Sequence, residues 1–227
     1  MDWSLIGTGT LASFLAGQAT TLGALPVFLM RSMSVRTQNA FLGFAAGIML
    51  AASFFSLIIP GLEAAGDLHG GSKTIAALIV GSAILLGAGT LHLINRVAPH
   101  EHFIIGPQSG AERSKLARIW LFVIAISLHN FPEGLAVGVS FGSPDHAAGL
   151  ATATGIGLQN IPEGLAVALS LAAVGYGRFF SFVIAVLTGL IEPVGGFLGI
   201  SAISLSSELL PWGLGFAGGA MIWVVSS

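Results

Sequence analysis

Three carboxylates lie inside apolar stretches of the sequence, where an unpaired charge is unfavourable. Glu133, Glu163 and Glu192 stand in long runs that contain no Lys or Arg. A carboxylate at membrane depth costs several kcal/mol, with ~3 kcal/mol on translocon scales. They can be protonated and bond one another, or cap broken helices. Because no buried base is available to pair with them, a bound cation is the favoured explanation.

Two of these carboxylates belong to an internal duplication. Leu128–Ser140 reads LHNFPEGLAVGVS and Leu158–Ser170 reads LQNIPEGLAVALS, so nine of thirteen positions match at a constant offset of 30. A short loop at Gly142–His146 reverses the chain between the copies. Related segments in antiparallel helices are typical of inverted repeats, and transporters place their substrate site at such an interface.

Each copy presents metal-ligating side chains on one helix face. Glu133 follows His129 by four residues and Asn130 by three, so the three side chains share a face. The second copy repeats that face with Gln159, Asn160 and Glu163. Imidazole, carboxylate and amide ligands without thiolate suit Zn, Mn, Fe(II), Co, Ni or Cd better than Mg or Ca. Glu133 and Glu163 face each other across the pseudo-twofold axis and can bridge two ions.

The composition predicts that these side chains are held by membrane helices. The chain has 227 residues, of which 54% are hydrophobic and 8% charged, with a net charge of −2 and no Cys. Soluble domains carry about 25% charged residues. These values exclude a soluble enzyme, a nucleic-acid-binding protein and a disulfide scaffold. We therefore predict an all-α polytopic transmembrane helix bundle, with residues 1–227 forming a single transporter domain.

Charged residues separate the chain into seven apolar segments that are long enough to cross a bilayer. A transmembrane helix needs about 20 apolar residues. The predicted spans 1 to 7 cover residues 4–30, 39–61, 74–95, 118–141, 147–174, 179–205 and 209–227. Seven of the eight basic residues fall on one side of these spans, which the positive-inside rule makes cytoplasmic. This places the N-terminus outside the cytoplasm and residues 96–117, between spans 3 and 4, in a cytoplasmic loop.

The paired motifs resemble those of a known family. HNFPEG at residues 129–134 followed by QNIPEG at residues 159–164 is similar to the signature of ZIP (Zrt/Irt-like) metal transporters, in particular a prokaryotic subgroup. Gly189–Pro193 resembles the family's sixth helix, which carries a glutamate. Ala45–Pro60 resembles its second helix, whose methionine can reach the metal.

The resemblance implies a binuclear site on predicted spans 4, 5 and 6. Its first metal position would be formed by His129, Glu133, Gln159 and Glu163, with Met49 as a soft extra ligand. Its second would be formed by Asn130, Glu133, Asn160, Glu163 and Glu192, with the two Pro-Glu-Gly glutamates bridging. Family members carry zinc foremost, and also cadmium, iron or manganese, toward the cytoplasm by alternating access. The metal is then cargo rather than a cofactor.

The resemblance also implies a setting for the protein. It predicts a non-enzymatic transporter of the prokaryotic inner membrane whose partners are divalent ions, the lipid bilayer and a second copy in a homodimer. His100-Glu101-His102 resembles the family's metal-accepting cytoplasmic loop, with a solvated linker as the alternative. The family has eight helices, so the chain is expected to lack helix 8 and the end of helix 7. Gln159 and Asn160 stand where many relatives have His and Asp.

Two other functions stay open from the sequence. A passive divalent cation channel with a glutamate ring would use the same carboxylates. An intramembrane metallohydrolase would need a His-Glu-x-x-His motif and a third ligand. No such histidine pair occurs in the sequence, so the hydrolase is the weaker alternative.

Overall fold

The computed structural model describes residues 3–30, 34–97 and 110–226, and these consist of helices joined by short turns. The α-helices are α1 (Trp3–Ala24), α2 (Val35–Ala51), α3 (Ile59–Leu68), α4 (Lys73–Val97), α5 (Gly110–Phe141), α6 (His146–Ala173), α7 (Arg178–Gly189), α8 (Glu192–Leu205) and α9 (Leu210–Ser226). A π-helical segment (Ala52–Ile58) joins α2 to α3, and two short 3-10 turns follow α1 and precede α9.

Six helical segments of the described chain are long and apolar enough to cross a membrane. They are Trp3–Phe28, Asn39–Leu68, Lys73–Ile94, His146–Ala173, Arg178–Leu205 and Ser207–Ser226. Helix α5 is a further long helix that packs against α6 and α8. Large apolar side chains point outward on α4, where Leu85 is 74% exposed, as expected of a surface that faces lipid rather than water. The predicted all-α polytopic bundle is confirmed.

Two predicted spans are less regular than the sequence suggested. Span 6, predicted as one helix, is broken at Leu190–Ile191 into α7 and α8. Pro193 lies in the first turn of α8, where a residue without an N–H is tolerated. Span 2 contains the π-helical segment, and Pro60 again opens the helix that follows it. In both places a proline, which has no backbone N–H to donate, lies in the first turn of the helix that follows the irregular segment.

Helices extend into both ends of the predicted cytoplasmic loop at residues 96–117. Helix α4 continues to Val97 and α5 begins at Gly110, and residues 98–109 lie outside the described part of the chain. Charged residues mark where a segment stops being apolar, but they do not oppose helix formation. The charge pattern therefore predicts where the apolar stretch ends better than where the helix ends.

A tight turn makes α5 and α6 antiparallel neighbours. Four residues separate Phe141 from His146, and Asp145 caps α6 by accepting hydrogen bonds from the N–H groups of Ala147 (2.9 Å) and Ala148 (3.3 Å). The two copies of the duplicated motif therefore run in opposite directions. Each copy packs on a different outer helix, α5 on α8 and α6 on α1.

Candidate metal centre

Partly buried His129 and buried Glu133 and Glu163 form a cluster at the α5–α6 interface. The Nε2 atom of His129 lies 3.6 Å from Oε1 of Glu133 and 3.9 Å from Oε1 of Glu163. Helices α5 and α6 continue through Pro132 and Pro162, so each glutamate keeps its helical register with the residues before it. Ligands about 2.1 Å from a tetrahedral Zn²⁺ are about 3.4 Å apart. The observed separations are close to that value, so these atoms can share one ion.

Met49 completes this cluster from a third helix. Its Sδ atom lies 3.1 Å from Nε2 of His129, and its side chain is buried. Met49 is near the end of α2, and its carbonyl accepts a 2.8 Å hydrogen bond from Oγ of Ser53 in the π-helical segment. A thioether is a soft ligand for Zn or Cd. The structure therefore brings together two residues predicted for the first metal position.

Gln159 is joined to the same cluster by its amide. Its Nε2 atom donates a hydrogen bond to Oε1 of Glu133, while Oε1 of Gln159 has no protein partner. The amide therefore bonds the carboxylate through its nitrogen and leaves its oxygen available as a ligand. All five side chains predicted for the first position are thus joined by contacts to His129 or Glu133.

Asn160 of α6 and Glu192 of α8 form a second group of predicted ligands. The Nδ2 atom of Asn160 donates to Oε1 of Glu192 (2.7 Å) and to the carbonyl of Ala16 in α1 (3.0 Å). The break between α7 and α8 places Glu192 in the first turn of α8, fully buried. Its own carbonyl accepts a 2.8 Å hydrogen bond from Oγ of Ser13. This group contains two residues of the predicted second position.

Asn130 is buried, but the structure does not join it to the other predicted ligands. Neither Oδ1 nor Nδ2 of its side chain has a hydrogen-bond partner. Its role at the second position therefore stays a prediction. The histidines predicted for the cytoplasmic loop, His100 and His102, lie outside the described residues.

Whether a cation fits between these helices can be judged from the buried oxygen atoms that have no hydrogen-bond partner. Buried polar atoms in proteins are nearly always hydrogen-bonded. The atoms that break this rule include Oε2 of Glu133, Glu163 and Glu192, together with Oε1 of Gln159 and Oδ1 of Asn160. All five are acceptors, so a positive ion is the kind of group that would satisfy them together. The residues present fit a divalent metal.

Helix α1 also contributes contacts to the site, and no motif in the sequence predicts them. Ser13 and the carbonyl of Ala16 hold Glu192 and Asn160, yet neither belongs to a recognisable motif. The available signal is weak: Ser13 and Thr20 are polar and fully buried within an apolar helix. Polar residues in membrane helices commonly bond a neighbouring helix, so they alone do not indicate a site.

The fold and the ligand set together define a polytopic integral membrane protein with a buried cluster suited to a divalent transition metal. The family model described as ZIP Zinc transporter matches residues 106–226. The chain is 49% identical over 222 residues to Zinc transporter GufA of Myxococcus xanthus, covering 97% of this chain and 86% of that protein. It is 47% identical over 221 residues to Zinc transporter ZIPB of Bordetella bronchiseptica, covering 97% and 71%. The chain belongs to the ZIP zinc transporter family.

Proposed function

We propose that this chain carries divalent transition-metal ions, zinc foremost, across the membrane toward the cytoplasm. The observation that carries the proposal is the convergence of His129, Glu133 and Glu163 at the interface of two apolar helices, with ligand atoms within 4.8 Å of one another. The zinc transporter names of the relatives support the same cargo. The ion is the substrate of the protein, and cadmium, iron and manganese are further candidates.

The ligand set suggests how the protein replaces the water molecules that surround an ion in solution. An ion that enters the site loses its hydration shell, and the imidazole, carboxylate and thioether groups replace it. Glu133 and Glu163, the glutamates of the two duplicated motifs, would bridge two ions, as the sequence pattern suggests. Because both side chains are buried, movement of the surrounding helices must expose the site to each side in turn. These features support alternating access through a binuclear site.

The burial of the two glutamates favours a carrier over a passive channel. Glu133 is 1% exposed and Glu163 is 3% exposed, whereas the carboxylates of an open cation pore face water. A carrier saturates as the metal concentration rises, while flux through a channel continues to increase. We therefore expect saturable uptake with competition between metals. Linear flux at high metal concentration would favour the channel.

Zinc uptake into proteoliposomes tests the proposal. Glu133→Ala and Glu163→Ala should each abolish uptake, because each removes a bridging carboxylate, while membrane insertion survives. Glu208→Ala is the matched control, since Glu208 is exposed in the turn before α9 and its removal should leave uptake near the wild-type rate. Unchanged uptake in both site variants would rule the proposal out.

The cellular location, membrane orientation and oligomeric state are part of the same proposal. We infer an inner-membrane location in a prokaryotic cell, an extracytoplasmic N-terminus, a cytoplasmic connection between α4 and α5 within residues 96–117, and assembly as a homodimer. The distribution of basic residues supports the orientation. The bacterial relatives support the location.

A further inference from the structure

Helix α1 is related to α7 and α8 by the same twofold arrangement that relates the duplicated motifs. Gly17 and Gly189 face each other, so that a methyl group built on Gly189 would overlap the carbonyl of Gly17 and the reverse is also true. Gly23 packs against the carbonyl of Ile161, and Gly195 packs against the carbonyl of Phe131. Residues 131 and 161 are equivalent in the duplication.

The same offset of 172 residues relates α1 to α7 and α8 at each of these contacts. Gly17 and Gly189 are 172 residues apart, and so are Gly23 and Gly195. The same offset appears beside the metal centre: Gly134 packs against the carbonyl of Glu192, and Gly164 packs against the carbonyl of Thr20. Thr20 in α1 is therefore the twofold counterpart of Glu192 in α8.

The hydroxyl of Thr20 is placed unlike the other threonine hydroxyls of α1. Thr8 and Thr10 bond the carbonyls four residues earlier, at 2.9 and 2.8 Å, which is the usual arrangement in a helix. The Oγ1 atom of Thr20 is buried and has no hydrogen-bond partner. The carbonyl four residues before it, that of Ala16, instead accepts from Asn160. The hydroxyl is thus left without a partner, one helical turn from the carbonyl that the predicted ligand Asn160 bonds.

The surroundings of Thr20 place its hydroxyl beside the end of α7, next to the turn that precedes Glu192, while its backbone carbonyl faces Gly164 of α6. A methyl group built on Gly189 would lie 3.2 Å from Oγ1 of Thr20, and one built on Gly17 would lie 3.2 Å from Oε1 of Glu192. Gly17 and Thr20 are three residues apart and share a face of α1. That face therefore contacts the turn before α8, where Glu192 begins the helix.

We propose that Thr20 supplies a neutral oxygen ligand from α1 to the second metal position, opposite Glu192. The inference rests on the proposed function, because it needs a metal at that position. With Thr20, the second position is lined by hydroxyl, amide and carboxylate oxygens, whereas the first has imidazole and thioether as well. Oxygen ligands favour harder ions, so the second position should accept Mn²⁺ more readily than Cd²⁺.

Metal binding to the purified full chain in nanodiscs tests this ligand. We compare the wild type with Thr20→Val, which keeps the side-chain shape and removes the hydroxyl, and with Thr20→Ser, which keeps the hydroxyl. Equilibrium dialysis with Zn²⁺ alone should give about two ions per chain for the wild type and Thr20→Ser, and about one for Thr20→Val. Thr21→Val is the control, because Thr21 bonds Gln18 rather than the metal centre.

Thermal unfolding of the metal-free variants separates a ligand from a packing residue. Removing a buried hydroxyl without a partner is neutral or stabilising, so Thr20→Val should unfold at or above the wild-type temperature and still lose the second ion. Wild-type binding by Thr20→Val, or equal loss by Thr20→Ser, would overturn the proposal, as would a wild type that binds a single ion. If Glu133→Ala binds and transports like the wild type, the proposed function itself fails.

Discussion

The two copies of the duplicated motif have nearly the same backbone arrangement and different ligands. On α5, Gly134 packs against the carbonyl of Glu192, and on α6, Gly164 packs against the carbonyl of Thr20. On α5, however, the residue four positions before the glutamate is a histidine that contacts Met49. On α6 the equivalent residue is Gln159, which donates a hydrogen bond across the interface to Glu133.

This difference indicates that the fold and the metal preference are determined separately. The glycines and prolines shared by both copies hold the helices at a fixed spacing. The side chains that differ decide which atoms face the ion, because an imidazole nitrogen and a thioether sulfur are available only at the α5 copy, from His129 and its neighbour Met49. The helix packing can therefore be disturbed without changing the ligands, and the ligands can be changed without disturbing the helix packing.

The largest effect should come from disrupting the glycine contacts that hold α5 against α8 and α6 against α1. Gly134→Ala and Gly164→Ala each place a methyl group on a backbone carbonyl of the neighbouring helix, and neither carbonyl can move without shifting its helix. Overpacking of this kind costs about 3 kcal/mol. We expect both variants to unfold at clearly lower temperature in detergent, as measured by circular dichroism, and by similar amounts because the two contacts are equivalent.

Gly43→Ala is the control for this pair, since a methyl group at Gly43 meets open space. It should be neutral or slightly stabilising, because alanine is the better helix former by about 1 kcal/mol. A large loss for one of the two site glycines and none for the other would contradict the equivalence of the two copies.

The sequence predicted the parts of the site that repeat from their duplication, Glu192 from its charge in an apolar run, and Met49 only through the family resemblance. His129, Glu133, Gln159 and Glu163 were identified because a duplicated motif with charges in an apolar run is conspicuous. Seven apolar segments likewise predicted the bundle, because burial of backbone polar groups in lipid demands helices. Their approximate positions followed from charge alone.

The contribution of α1 has no comparable sequence signal. Thr20 and Glu192 occupy equivalent places, but threonine and glutamate have different chemistry, and the segments around them share little beyond two glycines at matching positions. The break before Glu192 and the π-helical segment after Met49 depend on how prolines are accommodated by neighbouring helices. Such details arise from tertiary packing, which a linear pattern does not contain.

A smaller effect should come from removing the unequal ligands. His129→Ala deletes the only imidazole in the described cluster, whereas Gln159→Ala deletes an amide that also orients Glu133. Since loss of an outer-shell partner alone costs 10- to 100-fold in metal affinity, we expect roughly a 100-fold loss of zinc affinity for His129→Ala and about tenfold for Gln159→Ala. Competition of Zn, Cd and Mn for uptake measures both affinity and preference.

The two variants should also differ in kind. Without the imidazole the remaining ligands at the first position are mainly oxygens, so His129→Ala should shift preference from Zn and Cd toward Mn. Gln159→Ala removes no soft ligand and should lower affinity without changing the order of metals. Equal and negligible effects of both variants would contradict the assignment of the first position.

The smallest effect should come from Met49, which contributes to one copy only. Met49→Leu keeps a buried apolar side chain of similar volume, so stability should change by less than about 1.5 kcal/mol. Loss of the thioether should weaken Cd²⁺ uptake a few-fold, by about 1 kcal/mol, and leave Mn²⁺ uptake near the wild-type value, because sulfur stabilises the softer ion. Met221→Leu is the matched control, since Met221 is equally buried in the same apolar core. If both substitutions alter the Cd/Mn ratio alike, the effect belongs to core packing, and the sulfur of Met49 is not a ligand. If Met49→Leu alone lowers it, the asymmetry between the two copies extends beyond the duplicated helices to α2.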